Sequence, residues 1–356
     1  VNALSTILDK LSGLRWLTRA PDYLIRRTLG PPPRNDRGIE LDLRTHALLR
    51  LMARTGMDSI HQSDAPAARR HYDRSTPWID RPAPPTVTLS DAHLPGDLPC
   101  RVYRPRAAGP SDPLPVLLWL HGGGFVIGSL ETHVGLCGAL AERGHCVVVA
   151  LEYRKAPEHA FPTAIEDCLA TLRHFRDTQG RARLLDWGGD PDRLAVGGDS
   201  AGANLSTVLC QLLRDTGESQ PLAQILVYPA TDSTQRRASH ELFARDFLLS
   251  SETLAWFMDH YLPAGTSLAD PRVSPLCAES LEGLAPALIR TAGFDPLRDE
   301  GEAYAMRLRE AGVAVDLRCH ERLIHGFVSM GGILPAAREA VDDLGDDLRR
   351  LLHHNP

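Results

Sequence analysis

Six short apolar runs punctuate this 356-residue chain from residue 116 onward, at 116–120, 147–151, 194–196, 225–228, 287–291 and 313–319. Stretches with helical periodicity fall between them, for example 163–176, 201–214 and 300–311. Buried strands that alternate with amphipathic helices need cover on both faces, and a mostly parallel sheet with helices on each side supplies it. The expected fold class is therefore α/β. Two regions stand outside this rhythm. Residues 4–17 place Leu4, Ile7, Leu8, Leu11 and Leu14 at helical spacing, and 40–54 reads as a second helix beyond the break at Pro31-Pro32-Pro33. Breakers from Pro77 to Pro85 end this first helical region, and a further helical stretch is expected at 239–262. No internal repeat or low-complexity tract interrupts the chain.

Charge and composition narrow the function. The net charge of −6 offers no basic face, so nucleic acid is not an expected partner. Of the 39 basic residues only Lys10 and Lys155 are lysine. Neither lies in a Ser-x-x-Lys or G-K-[ST] context, so lysine-assisted acyl transfer and the phosphate-binding loop both drop out. The seven cysteines form no C-x-x-C pair, which points away from a disulfide framework and toward a reducing compartment, with the cytoplasm as the expected location. No run of 18 apolar residues exists, so no membrane span is expected. Charged residues throughout the first 30 positions spoil a signal-peptide core, while a start at Val1 leaves room for a segment removed before it.

Gly198-Asp199-Ser200-Ala201-Gly202 fits G-x-S-x-G between a strand and a helix. A nucleophile on such a turn takes a strained backbone conformation. Glycines two residues to either side let strand and helix approach without Cβ clashes. The turn lifts the Ser200 hydroxyl above the sheet and aims a helix N-terminus at any charge that develops there. Alone, the motif is as readily a glycine-rich turn of no consequence. His121-Gly122-Gly123-Gly124, directly after the run 116–120, changes that balance, because acyl transfer needs backbone N–H donors for an oxyanion. His121 itself reads as a structural hydrogen-bonder.

A serine hydroxyl needs a base, and in this arrangement an acid and then a histidine should follow it, each just after a strand. Asp295 follows the run 287–291. Asp299, four residues on, falls in the next helix and is the weaker choice. His325 lies past the last run in Ile324-His325-Gly326-Phe327. His320 shares a polar strand face with Asp316 and Arg318 and is expected to be solvated. "HERLIH" (320–325) is one residue too long for H-E-x-x-H, so no metal or other cofactor is expected.

Taken together, "HGGGFVIGS" (121–129), "EYRKAPEHAFP" (152–162), "GDSAGANL" (198–205), "GFDPLRDEG" (293–301) and "HGF" (325–327) resemble the hormone-sensitive-lipase-like group of α/β-hydrolases over roughly residues 85–345. Glu152 and Lys155 depart from that group's usual Asp-Tyr-Arg-Leu. The resemblance implies an α/β-hydrolase fold with Ser200 as nucleophile, His325 as general base and acid, and Asp295 orienting His325. It also implies an oxyanion hole from the N–H groups of Gly123, Gly124 and Ala201. A helical cap would come from residues 1–80 and an insertion at about 235–262, on a catalytic domain spanning 81–356. Trp16, Leu17, Phe243, Phe247 and Met258 are candidates for an acyl pocket. The N-terminal stretch, with Arg15, Arg19, Arg26 and Arg27 beside Trp16 and Leu17, could instead touch a lipid surface. The expected activity is hydrolysis of short- to medium-chain carboxylic esters through an acyl-enzyme, with a small-molecule ester as partner and a homodimer compatible with the reading. Amide hydrolysis by the same triad and a non-catalytic binding protein on the same fold remain open alternatives.

Overall fold

The apolar runs form the centre of an eight-stranded sheet in the computed structural model, which describes residues 20–55, 60–109 and 113–353. The expected helix at 4–17, with Trp16 and Leu17, lies outside those residues. Three helices come first: α1 (Asp22–Leu29), α2 (Leu43–Thr55) and α3 (Ala65–Ile79). Asp64 caps α3 by accepting the Ala67 N–H at 2.7 Å. The hairpin β1 (Val87–Leu94) and β2 (Leu98–Pro105) follows, then β3 (Leu114–Leu120), α4 (Val134–Gly144) and β4 (Val147–Leu151). Next are α5 (Thr163–His174), α6 (Thr178–Asp186), β5 (Gly189–Asp199), α7 (Ala201–Asp215) and β6 (Gln224–Val227). An insertion carries α8 (Ala238–Leu242) and α9 (Ser251–Tyr261), and the chain ends with β7 (Ala287–Phe294), α10 (Arg298–Glu310), β8 (Val315–Ile324) and α11 (Pro335–His353).

The strand order is β1-β2-β4-β3-β5-β6-β7-β8, antiparallel at β1/β2 and β2/β4 and parallel from β4 to β8. Every residue of β3, β4, β6 and β7 is buried, as expected of strands covered on both faces. The pleat divides their side chains between two cores. Leu118, Val149, Val196 and Ile289 face α5 and α7, whereas Leu117, Val148, Ile225 and Leu288 face α4 and α11.

The hairpin has no counterpart in the sequence reading, because β1 lies at the sheet edge with four consecutive exposed residues, 88–91, and shows no apolar run. Two strands are also longer than their apolar segments. β5 begins at Gly189, where polar residues lead into the run, and β8 starts at Val315 and continues through Ile324. All of the parallel strands end at one sheet edge. The loops after β3, β5, β7 and β8 therefore meet there, which is where α/β sheets place their sites.

Candidate active site

Ser200 links β5 to α7 at φ 54° and ψ −117°, a conformation that L-residues rarely adopt. Its N–H is held by the Val227 carbonyl at 2.9 Å. The flanking glycines are steric requirements. A Cβ on Gly202 would collide with the Leu120 carbonyl, and one on Gly198 with both that carbonyl and the Gly202 backbone. Strand β3, the turn and α7 can approach this closely only without those side chains.

His325 comes one residue after β8, and its Nε2 lies 3.0 Å from Ser200 Oγ. On the other side of the ring, Nδ1 is 2.8 Å from Asp295 Oδ2. An ionised carboxylate only accepts, so Nδ1–H donates to Asp295 and Nε2 is left free to accept the Ser200 hydroxyl proton. Asp295 follows β7, is fully buried, and accepts the Leu297 N–H at 2.8 Å through Oδ1. The Tyr228 ring packs 4.4 Å from the imidazole and restricts its tilt. The structure thus brings Ser200, His325 and Asp295 into one hydrogen-bonded row.

The glycine loop after β3 faces the same space. Gly123 and Gly124 have φ of 116° and 58°, and no group among the described residues accepts the N–H of Gly123, Gly124 or Ala201. All three residues line the cavity that contains Ser200. His121 is buried beneath the loop. It stacks on Tyr153 at 4.3 Å and its Nδ1 lies 2.8 Å from the Gly122 carbonyl, while burial pushes its pKa well below the usual value. It is a neutral structural group, as expected. Asp299 lies in α10 and accepts the Ser239 N–H at 2.9 Å, away from the imidazole.

His320 corrects an expectation. It is largely buried rather than solvated, with its ring 5.1 Å from that of Phe327, and burial lowers its pKa to about 4. Residues 315–319 of β8 do alternate between half-buried and exposed, but the loop after β8 folds back over the face of His320. Among the described residues no group of three or more His, Cys, Asp or Glu side chains is placed to hold a metal.

Above Ser200 is a cavity of about 140 Å³, walled mainly by apolar side chains. Met258 lines it as expected. Phe243 and Phe247 do not, because they pack against Phe294 at 5.6 and 5.5 Å under the insertion. Their places are taken by Leu248, Leu254 and Phe257 from the insertion and by Ile60 and Tyr72 from the N-terminal region. The resemblance places a cap at 1–80 and 235–262, but which residues of those segments turn toward the serine follows only from the tertiary packing. The departures at Glu152 and Lys155 form an ion pair, and Glu152 also accepts the Leu130 N–H at 2.7 Å, outside the cavity.

A family model for the alpha/beta hydrolase fold matches residues 117–329. The chain belongs to the hormone-sensitive-lipase-like carboxylesterases of the α/β-hydrolase superfamily. Its curated relatives include a carboxylic ester hydrolase of Mycobacterium tuberculosis, 42% identical over 83% of this chain and 80% of the relative. An ethyl acetate hydrolase of Pseudomonas putida is 39% identical over 79% of this chain and 89% of the relative. Among solved structures, an ester hydrolase from the metagenome of Lake Arreo, complexed with a bipyridine phosphonate derivative, superposes with a TM-score of 0.79. It is 40% identical and covers 86% of this carboxylesterase and 97% of that chain. A thermostable esterase from Pseudomonas putida gives a TM-score of 0.81 at 30% identity, over 88% of this chain and 98% of its own.

Proposed function

We propose that this chain hydrolyses short- to medium-chain carboxylic esters in two steps through an acyl-enzyme on Ser200. The observation that carries the reading is the continuous row Ser200–His325–Asp295, at 3.0 and 2.8 Å, beside a loop of unpaired N–H groups. Ser200 Oγ attacks the ester carbonyl as His325 Nε2 takes its proton. Asp295 holds the imidazole in the tautomer that can accept and stabilises the imidazolium that forms. The N–H groups of Gly123, Gly124 and Ala201 receive the oxyanion, and each is worth about 10²–10³ in turnover by analogy with other oxyanion donors. His325 gives its proton to the departing alkoxide, then activates a water that releases the acid.

The small apolar cavity supports a short or medium acyl chain in place of a long lipid. Helices α1 to α3 and the insertion with α8 and α9 form its cap in this reading, joined where His61 Nδ1 meets Thr253 Oγ1 at 3.1 Å. The relatives named as a carboxylic ester hydrolase and an ethyl acetate hydrolase point the same way. The deciding experiment follows alcohol release from p-nitrophenyl butyrate and from a matched anilide, with wild type and Ser200→Ala. Rapid ester cleavage with a burst, slow anilide cleavage and loss of both in the variant are expected. A burst that survives in Ser200→Ala removes the nucleophile assignment, and anilide turnover equal to ester turnover replaces the esterase reading with an amidase one.

A further inference from the structure

Asp199, one residue before the proposed nucleophile, is a buried carboxylate with two separate donors on one oxygen. Its Oδ1 accepts the Gly122 N–H at 3.0 Å and lies 3.0 Å from His133 Nε2. The Asp199 and His133 side chains are only 8% and 2% exposed. His133 is fixed in turn by Thr132, whose Oγ1 lies 2.8 Å from Nδ1. The glycine loop is drawn tightly against this pair, since a Cβ on Gly122 would strike the Asp199 carboxylate. Gly122 leads directly into Gly123 and Gly124. The loop and the serine turn come from different strands, and this bridge is a side-chain tie between them.

A bare carboxylate here would oppose a developing oxyanion, because charges interact strongly in a site that excludes water. His133 answers that problem. Burial alone would lower its pKa, yet the adjacent Asp199 charge and hydrogen bond raise it above the ordinary value, with Asp80 adding to the effect. Asp199 shows the converse: burial works to raise its pKa, and the His133 charge and hydrogen bond hold it below the usual carboxylate range. The geometry agrees: Thr132 Oγ1 donates to the Ser129 carbonyl at 2.9 Å, so His133 Nδ1–H donates to Thr132 while Nε2–H donates to Asp199, and an imidazole with both nitrogens protonated makes the pair an ion pair with no net charge.

We propose that Asp199 is a positioning residue that sets the Gly122–Gly124 loop relative to Ser200, and that His133 neutralises it so that the tie does not repel the oxyanion. This rests on the reading of Gly123, Gly124 and Ala201 as oxyanion donors. Misplaced donors cost turnover more than substrate binding, since they act on charge present only in the transition state.

The test is a double-mutant cycle on p-nitrophenyl butyrate, with KM and kcat separated and folding checked by thermal melts. Asp199→Ala and His133→Ala are each expected to lower kcat on the order of 10²-fold with KM within about threefold of wild type. Asp199→Asn keeps an acceptor for Gly122 and should lose less than Asp199→Ala. The decisive arm is His133→Ala combined with Asp199→Asn. Removing the stranded charge should recover about tenfold of the kcat lost in His133→Ala alone, which a purely structural role would not predict. If His133→Ala does not fold, His133→Gln, which can donate to Asp199 without a charge, takes its place in the same cycle. The rate of Ser200 labelling by a phosphonate should fall in parallel with kcat. A kcat within about threefold of wild type in the folded His133 variant, or a double variant no faster than the single, overturns the proposal. Loss of activity in Ser200→Ala together with either outcome leaves the esterase reading intact; survival of activity in Ser200→Ala would bring down that reading instead.

Discussion

Single atoms decide how closely the nucleophile turn can pack. Gly202 has no room for a Cβ because the Leu120 carbonyl occupies its place, so Gly202→Ala must push α7 away from β3. The expected loss is about 2 kcal/mol or more in urea denaturation, with a larger fall in kcat because Ser200 moves with the helix. His320 carries a different residue-scale consequence. Its folded-state pKa of about 4 lies below the ordinary value of 6.5, so the folded chain refuses a proton that the unfolded chain accepts. Its contribution is present above pH 6.5 and is lost as pH falls toward 4, to a total of about 3 kcal/mol. His320→Leu should therefore flatten the decline in stability between pH 6.5 and 4.5 relative to wild type, as read from urea midpoints across that range. An unchanged decline would mean that other groups carry the acid sensitivity.

Among the elements, α9 has the most to do with what fits above Ser200. It is capped by Ser250, which accepts the Thr253 N–H at 3.1 Å, and it turns Thr253, Leu254, Phe257 and Met258 to the cavity. Phe257 lies against Gly124, where a Cβ would collide with its ring. Shortening the side chain in Phe257→Leu should enlarge the cavity beside Gly124. The ratio of kcat/KM for p-nitrophenyl octanoate over butyrate is expected to rise several-fold, on the order of 1 kcal/mol for the methylenes newly accommodated. A fall in kcat/KM for both esters with no change in ratio would place the acyl chain elsewhere. The helix's amphipathic spacing is legible in the sequence, but the rotation about its own axis that turns Met258 to the cavity is not; Phe243 and Phe247 precede the helix and pack on Phe294 instead.

Across the whole molecule, the C-terminal helix is fastened to the sheet by buried charge as well as by apolar packing. Arg290 of β7 is fully buried and pairs with Asp347 of α11, and with Asp316 of β8 at 3.1 Å. Arg290→Ala leaves the buried Asp347 only Arg350 and, at 3.5 Å, Arg318 as partners, and should cost about 2–3 kcal/mol, measured by denaturation, without a direct effect on the distant serine. Among the described residues no helix is long and apolar enough to cross a membrane. The sequence alone determined the local chemistry: the runs that become buried strands, the glycines that permit the serine turn, and the order serine, acid, histidine along the chain. Each of these is set by side-chain size, polarity or spacing within a few residues, so it can be read without coordinates. The tertiary structure decided everything that depends on distant segments meeting. Strand β1 has no apolar run because an edge strand needs none, and β2 breaks its apolar residues with the half-buried Pro99, Arg101 and Arg104. His320 is covered by a loop that the strand's alternation cannot foresee. The pairing of Asp199 with His133 joins residues 66 positions apart. Only closure of the sheet edge brings such groups within hydrogen-bonding distance, because contact between remote residues follows from the path of the whole chain and not from the character of either residue.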